Sequence, residues 1–310
     1  MPGVRVWEAD VRLDAELVRE LLAEQFPELD ASSARLLGEG WDNSVWVVEE
    51  RLAFRFPRRE IAVPGLEREL DVLPRLAGLL PVPVPLPIHV GRPSERFGRP
   101  FFGCRLLPGD EPGEAPPSED GRVALGAALG RFLRVLHAPE TRAAADPAGG
   151  LPVDPNRRAD MQWRAARTRE QVDQLREQGR WRAPAVVDRI LTEAERLPAP
   201  SGSGVLAHGD LHVRHVLVAD GALTGVIDWG DVCVADAAID LSLVWSFLPP
   251  AGRDAFVAEY GPVAAAAELR ARVLALNLCS MLALYARDVG YERLERESTA
   301  GLERTLVDWS

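Results

Sequence analysis

Three of the chain's five histidines, His208, His212 and His215, fall within eight residues of one another around Asp210, in the run His-Gly-Asp-Leu-His-Val-Arg-His. Two chemistries fit such a cluster. One is a metal site with H-x3-H-x2-H spacing, and the other is a catalytic loop whose aspartate moves protons. The residues that follow decide between them. Two apolar runs, 216–218 and 223–227, flank the turn Ala219-Asp220-Gly221 and carry the chain to a second loop aspartate, Asp228, in Ile-Asp-Trp-Gly-Asp. A hairpin holds its two open ends side by side, which predicts that Asp210 and Asp228 are neighbours. Carboxylates paired in this way suit phosphoryl transfer. One accepts the proton of an attacking hydroxyl, and the other holds Mg²⁺ against nucleotide phosphates.

The two loops at this interval resemble the aminoglycoside phosphotransferase family, small-molecule kinases of protein-kinase-like fold. The resemblance spans residues 34–285. It implies an α+β, bilobal fold with a small antiparallel-sheet N-lobe and a larger, mainly helical C-lobe. It also implies transfer of the γ-phosphate of ATP or GTP to a hydroxyl of a small molecule, an antibiotic such as an aminoglycoside or macrolide, or a metabolite. Carried over by position, Asp210 is the base and Asp228 the main Mg²⁺ ligand. The family places asparagine five residues after the base, where this chain has His215. The same variant loop is similar to that of macrolide phosphotransferases. An imidazole ligand favours Mn²⁺ over Mg²⁺ at that position.

Kinases hold the α/β-phosphates with a lysine on the third strand, paired to a glutamate on the next helix. This chain contains no lysine. The matching position in Ala-Phe-Arg-Phe-Pro is Arg55, with Glu69 as its partner and Glu67 second. Phe54 and Phe56 share one strand face, so Arg55 points to the other. By place rather than pattern, the turn Gly38–Ser44 covers the phosphates, with Ser44 and the backbone at Gly40 as contacts. The backbone of Leu106–Gly109 meets the nucleotide base. His212 and Asp231 are candidates to touch the acceptor. His208 reads as structural, and Asp236 and Asp240 as a helix cap or buried hydrogen-bonding groups.

The elements that position these residues read as follows. An amphipathic helix over 13–25 precedes strands within 34–48 and at 52–56. A helix over 66–80 is kinked or restarted by Pro74, and the extended Pro81–Pro87 leads to strands at 88–91 and 101–107. The Pro/Gly/acidic stretch 110–121 reads as a linker. It divides a nucleotide-binding lobe, 1–109, from a catalytic and substrate-binding lobe, 122–310. Helices follow at 121–138, 158–178 and 184–197, then the break Pro-Ala-Pro-Ser-Gly-Ser-Gly, a strand at 205–207, the hairpin, and a long helix at 264–288.

Composition narrows the chemistry further. With 310 residues, 47% apolar and 27% charged, the chain is long enough for a large core. Without lysine there is no Schiff base and no P-loop. A net charge of −11 disfavours nucleic acid and leaves room for a cationic small substrate. Cys104, Cys233 and Cys279 form no CxxC pair, which predicts buried small residues rather than disulfides. Neither a signal-peptide pattern nor an eighteen-residue apolar run is read, so the chain is expected in the cytoplasm with no membrane partner. Two rival functions remain: a metal-dependent hydrolase built on the histidine cluster, and a nucleotide-binding pseudokinase that has lost its lysine and asparagine.

Overall fold

The computed structural model describes residues 9–200 and 203–309. Residues 1–8, on which the expectation of no signal peptide partly rests, Ser201-Gly202 of the Pro/Ser/Gly break and Ser310 lie outside the described residues. The chain divides into two compact units. The first comprises 9–77, 84–107 and 229–231; the second holds the described parts of 78–83, 108–228 and 232–309.

The first unit is built on five antiparallel strands: β1 (Arg35–Glu39), β2 (Asn43–Val48), β3 (Leu52–Pro57), β4 (His89–Gly91) and β5 (Phe101–Arg105), ordered β1-β2-β3-β5-β4. Alternation along β3 sends Phe54 and Phe56 to a face covered by α1 (Ala15–Gln25), whose Val18, Leu21 and Leu22 complete an aromatic core with Phe101. Phe56 stacks on Phe101 with ring centroids 4.4 Å apart. Each such fully buried side chain contributes about 1.5–3 kcal/mol over its exposed state. The opposite face packs Leu66 of α2 (Val63–Leu76) on Phe102 and Cys104. Pro74 does not restart the helix: α2 runs through it to Leu76. It lies two residues from the helix end, where little of the hydrogen-bond ladder remains to be lost.

The second unit is mainly helical: α3 (Glu119–Leu136), α4 (Pro139–Ala145), α5 (Met161–Glu177), α6 (Val186–Ala194), α7 (Ala238–Phe247), α8 (Pro250–Tyr260), α9 (Ala265–Val289) and α10 (Glu292–Leu306). Four short strands carry the loops of interest. β6 (Val205–Ala207) pairs with β9 (Cys233–Ala235), and β7 (Val216–Ala219) forms the expected hairpin with β8 (Ala222–Val226). β9 falls where the sequence analysis placed no strand. The stretch 110–121 belongs to this unit, because Asp110 and Val218 exchange backbone hydrogen bonds at 3.0 Å. By composition α9 is long and apolar enough to cross a membrane, longer than the sequence reading allowed, but its apolar window is largely buried in the unit. All three cysteines are free and buried.

Candidate active site

The hairpin sets the geometry of the second unit's site. Val216 faces Val226, and Ile227 N–H donates to the His215 carbonyl at 2.9 Å, so the loop 208–215 and the loop at Asp228 leave the ribbon at the same end. His215 stands between them. Its Nδ1 lies 2.7 Å from the Asp210 carbonyl oxygen, and its Nε2 lies 3.5 Å from Asp228 Oδ2. The Asp210 carboxylate, its Oδ2 3.8 Å from Nδ1, and the Asp228 carboxylate thus face one imidazole from its two sides, the proximity that the hairpin predicted. Asp228 adopts φ 64°, a left-handed conformation that costs a non-glycine residue about 1 kcal/mol or more and recurs at functional loops.

Hydrogen bonding fixes each ring's tautomer. A carbonyl oxygen only accepts, so His215 Nδ1 carries the proton and Nε2 presents its lone pair toward Asp228. His208 Nε2 donates to the Ile227 carbonyl at 2.9 Å, while its Nδ1 accepts from Asp210 N–H at 3.3 Å. His212 Nδ1 accepts from Arg214 N–H at 3.2 Å, leaving the protonated Nε2 3.6 Å from Asp210 Oδ2. Asp210, His212 and His215 bring possible donor atoms within 4.8 Å of one another. Yet both nitrogens of His208 are hydrogen-bonded and His212 turns an N–H, not a lone pair, toward Asp210. The closed tetrahedral set that a zinc hydrolase needs is not formed by these rings. One carboxylate and one imidazole lone pair, at Asp228 and His215, do fit a divalent cation that accepts nitrogen as well as oxygen.

Burial by itself would raise the Asp210 carboxyl, but the Arg158 guanidinium, Nη2 at 2.8 Å from Oδ1, and then His212 outweigh it and hold the group well below the usual carboxylate range. Burial pushes the His215 imidazole down from 6.5, with the neighbouring His212 adding to the shift, so that Nε2 keeps its lone pair at neutral pH. Beneath the loop lies Asp240 of α7, fully buried. Its Oδ2 accepts from His208 N–H at 2.8 Å, its Oδ1 from Gly209 N–H at 3.0 Å, and His137 Nε2 stands 3.1 Å from Oδ2. Asp236 Oδ1 accepts from Ala238 N–H at 2.9 Å at the start of the same helix. Both match the structural roles read for them.

In the first unit, Arg55 lies on the β3 face opposite Phe54 and Phe56 and pairs with Glu69 at 2.9 Å. The second-choice partner, Glu67, is exposed. With its amide oxygen turned toward the guanidinium, Asn43 accepts from Arg55 Nη2 at 2.7 Å and Nε at 3.2 Å. Glu69 Oε1 also accepts from Trp229 N–H at 2.7 Å. Arg68 donates to the Gly230 carbonyl through Nη2 at 2.5 Å and Nε at 3.1 Å. Gly65 permits this approach, since a Cβ there would fall 3.1 Å from that same carbonyl oxygen.

Several expectations need correction or sharpening. Ser44 is fully buried and its hydroxyl accepts from Trp46 Nε1–H at 3.2 Å, so it is no phosphate contact; residues 44, 46 and 48 share the inward face of β2. Leu106 N–H is committed to the Arg51 carbonyl at 2.9 Å. Gly109 adopts φ 106° with Val218 and Thr224 too close for a side chain, which explains the glycine. His212 is buried and stacked on His215, centroids 3.8 Å apart, rather than open to a substrate. Asp231 belongs to the first unit's segment 229–231. Sequence reasoning missed Arg158, Asn43 and Arg68. Of these, only Asn43 carried a signal, by alternation with the buried Ser44.

Residues 33–275 match the model of the phosphotransferase enzyme family. An aminoglycoside 3′-phosphotransferase of Escherichia coli is 29% identical over 223 residues, 69% of this chain and 69% of the relative. Among solved structures, the GDP complex of wild-type aminoglycoside 2′-phosphotransferase-IIIa is similar at a TM-score of 0.71 and 22% identity, over 96% of this chain and 100% of the other. The GDP and kanamycin complex of an APH(2″) enzyme gives 0.69 at 23%, over 94% and 98%. The macrolide 2′-phosphotransferase apoenzyme of Brachybacterium faecium gives 0.63 at 24%, also over 94% and 98%. At those identities the likeness to solved structures establishes the fold.

Proposed function

The chain belongs to the phosphotransferase enzyme family, and from that premise we propose that it moves the γ-phosphate of ATP or GTP onto a hydroxyl of a small molecule, an antibiotic such as an aminoglycoside or macrolide, or a metabolite. One observation carries the reading: the Asp210 and Asp228 carboxylates flank the imidazole of His215, Asp210 Oδ2 3.8 Å from Nδ1 and Asp228 Oδ2 3.5 Å from Nε2. Asp210 accepts the proton of the attacking hydroxyl. Its depressed pKa keeps it ionised at neutral pH, and the weak basicity suits phosphoryl transfer, where positioning and charge neutralisation do most of the work. Asp228 and the Nε2 lone pair of His215 hold Mg²⁺ or Mn²⁺, which when bound neutralises phosphate charge. Arg55, held between Glu69 and Asn43, brings a guanidinium charge to the α/β-phosphates in place of the missing lysine. Gly40 N–H donates to the Asn43 carbonyl at 2.8 Å and its own carbonyl accepts from Arg58 Nη1 at 2.9 Å, which leaves the backbone of Leu106–Gly109, without the Leu106 N–H, for the nucleotide base. Two relatives described as GDP complexes support including GTP as donor.

The test is transfer of label from γ-labelled ATP and GTP to a panel of hydroxyl compounds. Labelled product dependent on a divalent cation is expected. Nucleotide-dependent thermal stabilisation with no transfer to any compound would favour the pseudokinase, and turnover without nucleotide by a protein purified with tight zinc would favour the hydrolase.

His215 allows a second check. His215→Asn replaces the nitrogen ligand with oxygen, and changing even the groups that orient a metal ligand typically shifts affinity or activity by about 10–100-fold. The ratio of kcat/KM in Mn²⁺ to that in Mg²⁺ is expected to fall by roughly tenfold in the variant. An unchanged ratio in matched titrations would remove His215 from the metal site.

A further inference from the structure

Asp210 is held from a distant part of the second unit. Its Oδ1 accepts from Arg158 Nη2 at 2.8 Å, and the Arg158 side chain is only 16% exposed, so this ion pair fixes one of the two carboxylate oxygens. The turn that carries Arg158 is itself tied down. Both oxygens of the Asp154 carboxylate accept backbone hydrogen bonds, from Arg158 N–H at 2.8 Å and Ala159 N–H at 2.9 Å, and Asp154 N–H donates to the Val234 carbonyl at 3.0 Å. Asp154 and Arg157 adopt φ 34° and 49° without being glycine, a strain tolerated only where surrounding bonds over-determine the backbone.

One of those bonds comes from α5. Arg164 Nη2 donates to the Asn156 carbonyl in the middle of the turn, and Nη1 donates to Asn277 Oδ1 on α9, both at 3.0 Å. The same guanidinium lies over the Trp163 ring, 4.7 Å from its centroid. Among the described residues it pairs with no carboxylate, and its buried Nε meets no acceptor. Burial first, and the neighbouring Arg158 charge next, push its pKa down to about 10. A half-buried cation served by neutral oxygens adds little to stability, so its placement is better explained by what it ties together. Asn277, at the far end of the tie, is buried among Ala275, Leu276, Leu278 and Cys279, and its Nδ2 donates to Gln171 Oε1 at 2.7 Å.

Resting on the phosphotransfer reading above, we infer that Arg158 is the positioning residue of the base and that Asn277 sets Arg158, acting through Arg164 and the turn at Asn156. Without the Asn277 acceptor the Arg164 arm loses its anchor, the turn loosens, and the Asp210 carboxylate rotates out of line with the acceptor hydroxyl. A misplacement of about 1 Å in such a group can cost about a hundredfold in rate. Gln171 supplies the contrast: it bonds to the other end of the Asn277 amide and has no contact leading toward Asp210.

The experiment measures steady-state transfer by the full chain and, without turnover, deuterium exchange in segments 156–162 and 208–215. Arg158→Met should lower kcat about a hundredfold, and Arg164→Met and Asn277→Leu about tenfold, each with nucleotide KM within about twofold. Asn277→Asp keeps an acceptor for Arg164 and should recover kcat to within about threefold of wild type, while Gln171→Ala should leave it unchanged. In an Asp210→Asn background, Arg158→Met should cost less than about twofold more, because the group it positions no longer takes a proton. Exchange in both segments should quicken about tenfold in Arg164→Met and Asn277→Leu and keep the wild-type rate in Gln171→Ala. Should Asn277→Leu fail to fold, Arg164→Met, which keeps the apolar stem, and Asn277→Asp carry the same comparison. Equal losses of kcat in Gln171→Ala and Arg164→Met, or an undiminished cost of Arg158→Met in the Asp210→Asn background, overturn the inference. A wild type that transfers no phosphate fails the functional reading alone; exchange then decides the tie, and unaltered rates in Arg164→Met overturn it.

Discussion

Asp210→Asn is expected to lower kcat by about 10²–10⁴-fold, the usual range for removing a general base, while the KM for nucleotide stays within about twofold. Asparagine preserves the shape of the side chain, but an amide cannot take the hydroxyl proton. Steady-state kinetics with either nucleotide separates the two constants. If kcat falls by less than tenfold, Asp210 is not the base. A pH profile adds a second reading. Arg158 and His212 hold the Asp210 carboxyl well below its ordinary value near 3.8, against the opposing pull of burial. The base is thus ionised throughout pH 5–8, and wild-type kcat over that interval should show no acidic limb belonging to a carboxylate. A limb centred near pH 5–6 that disappears in an Asp210 variant would contradict that environment.

Asp240→Leu is expected to destabilise the second unit by about 3–5 kcal/mol, the range for breaking a buried charged contact by removing one partner. The carboxylate accepts from two consecutive loop N–H groups, at His208 and Gly209, and contacts His137, whose Nδ1 lies 2.8 Å from the Tyr260 hydroxyl. Leucine would leave both backbone N–H groups buried without an acceptor, at a cost of about 1–3 kcal/mol each. Burial raises the Asp240 pKa, but His137 and His208 more than reverse this, and the folded value lies below 3.8. A depressed carboxylate contributes stability that is present above its unfolded pKa and is lost as pH falls through the folded one. The gap between wild type and variant in urea midpoint should therefore be full at pH 7 and narrower at pH 3. A gap that does not shrink on acidification would mean that the charge at Asp240 is not what holds the loop. Since Asp240 lies beneath the catalytic loop, the variant should also lose activity at temperatures where it remains folded.

The two halves of the candidate site were legible to different depths. Asp210 and Asp228 could be paired from the sequence because a hairpin of two short apolar strands joins them, and covalent connection leaves a tight ribbon few ways to separate its ends. Arg55 and Glu69 were readable for a similar reason: strand alternation turned Arg55 away from Phe54 and Phe56, and the helix that follows brings Glu69 to the same side. Ser44 was misplaced because it was assigned by loop position. The alternation with Trp46 and Val48 along β2 already placed it inward and Asn43 outward.

What the amino-acid sequence determined by itself is therefore local: the histidine-aspartate loop, the ribbon to the second aspartate, an arginine on the third strand in a chain without lysine, and the succession of strands and helices around them. Only the tertiary structure decided which ring nitrogens carry protons, that Asp240 anchors the loop from 31 and 32 residues downstream of Gly209 and His208, and that Arg158 reaches across 52 positions to neutralise Asp210. Spacing within one element follows from backbone geometry, whereas a contact between distant segments depends on how whole helices pack. Nothing in the run Asn156-Arg157-Arg158 distinguishes the arginine that reaches the carboxylate from its exposed neighbour until the Asp154 carboxylate has closed the turn around it.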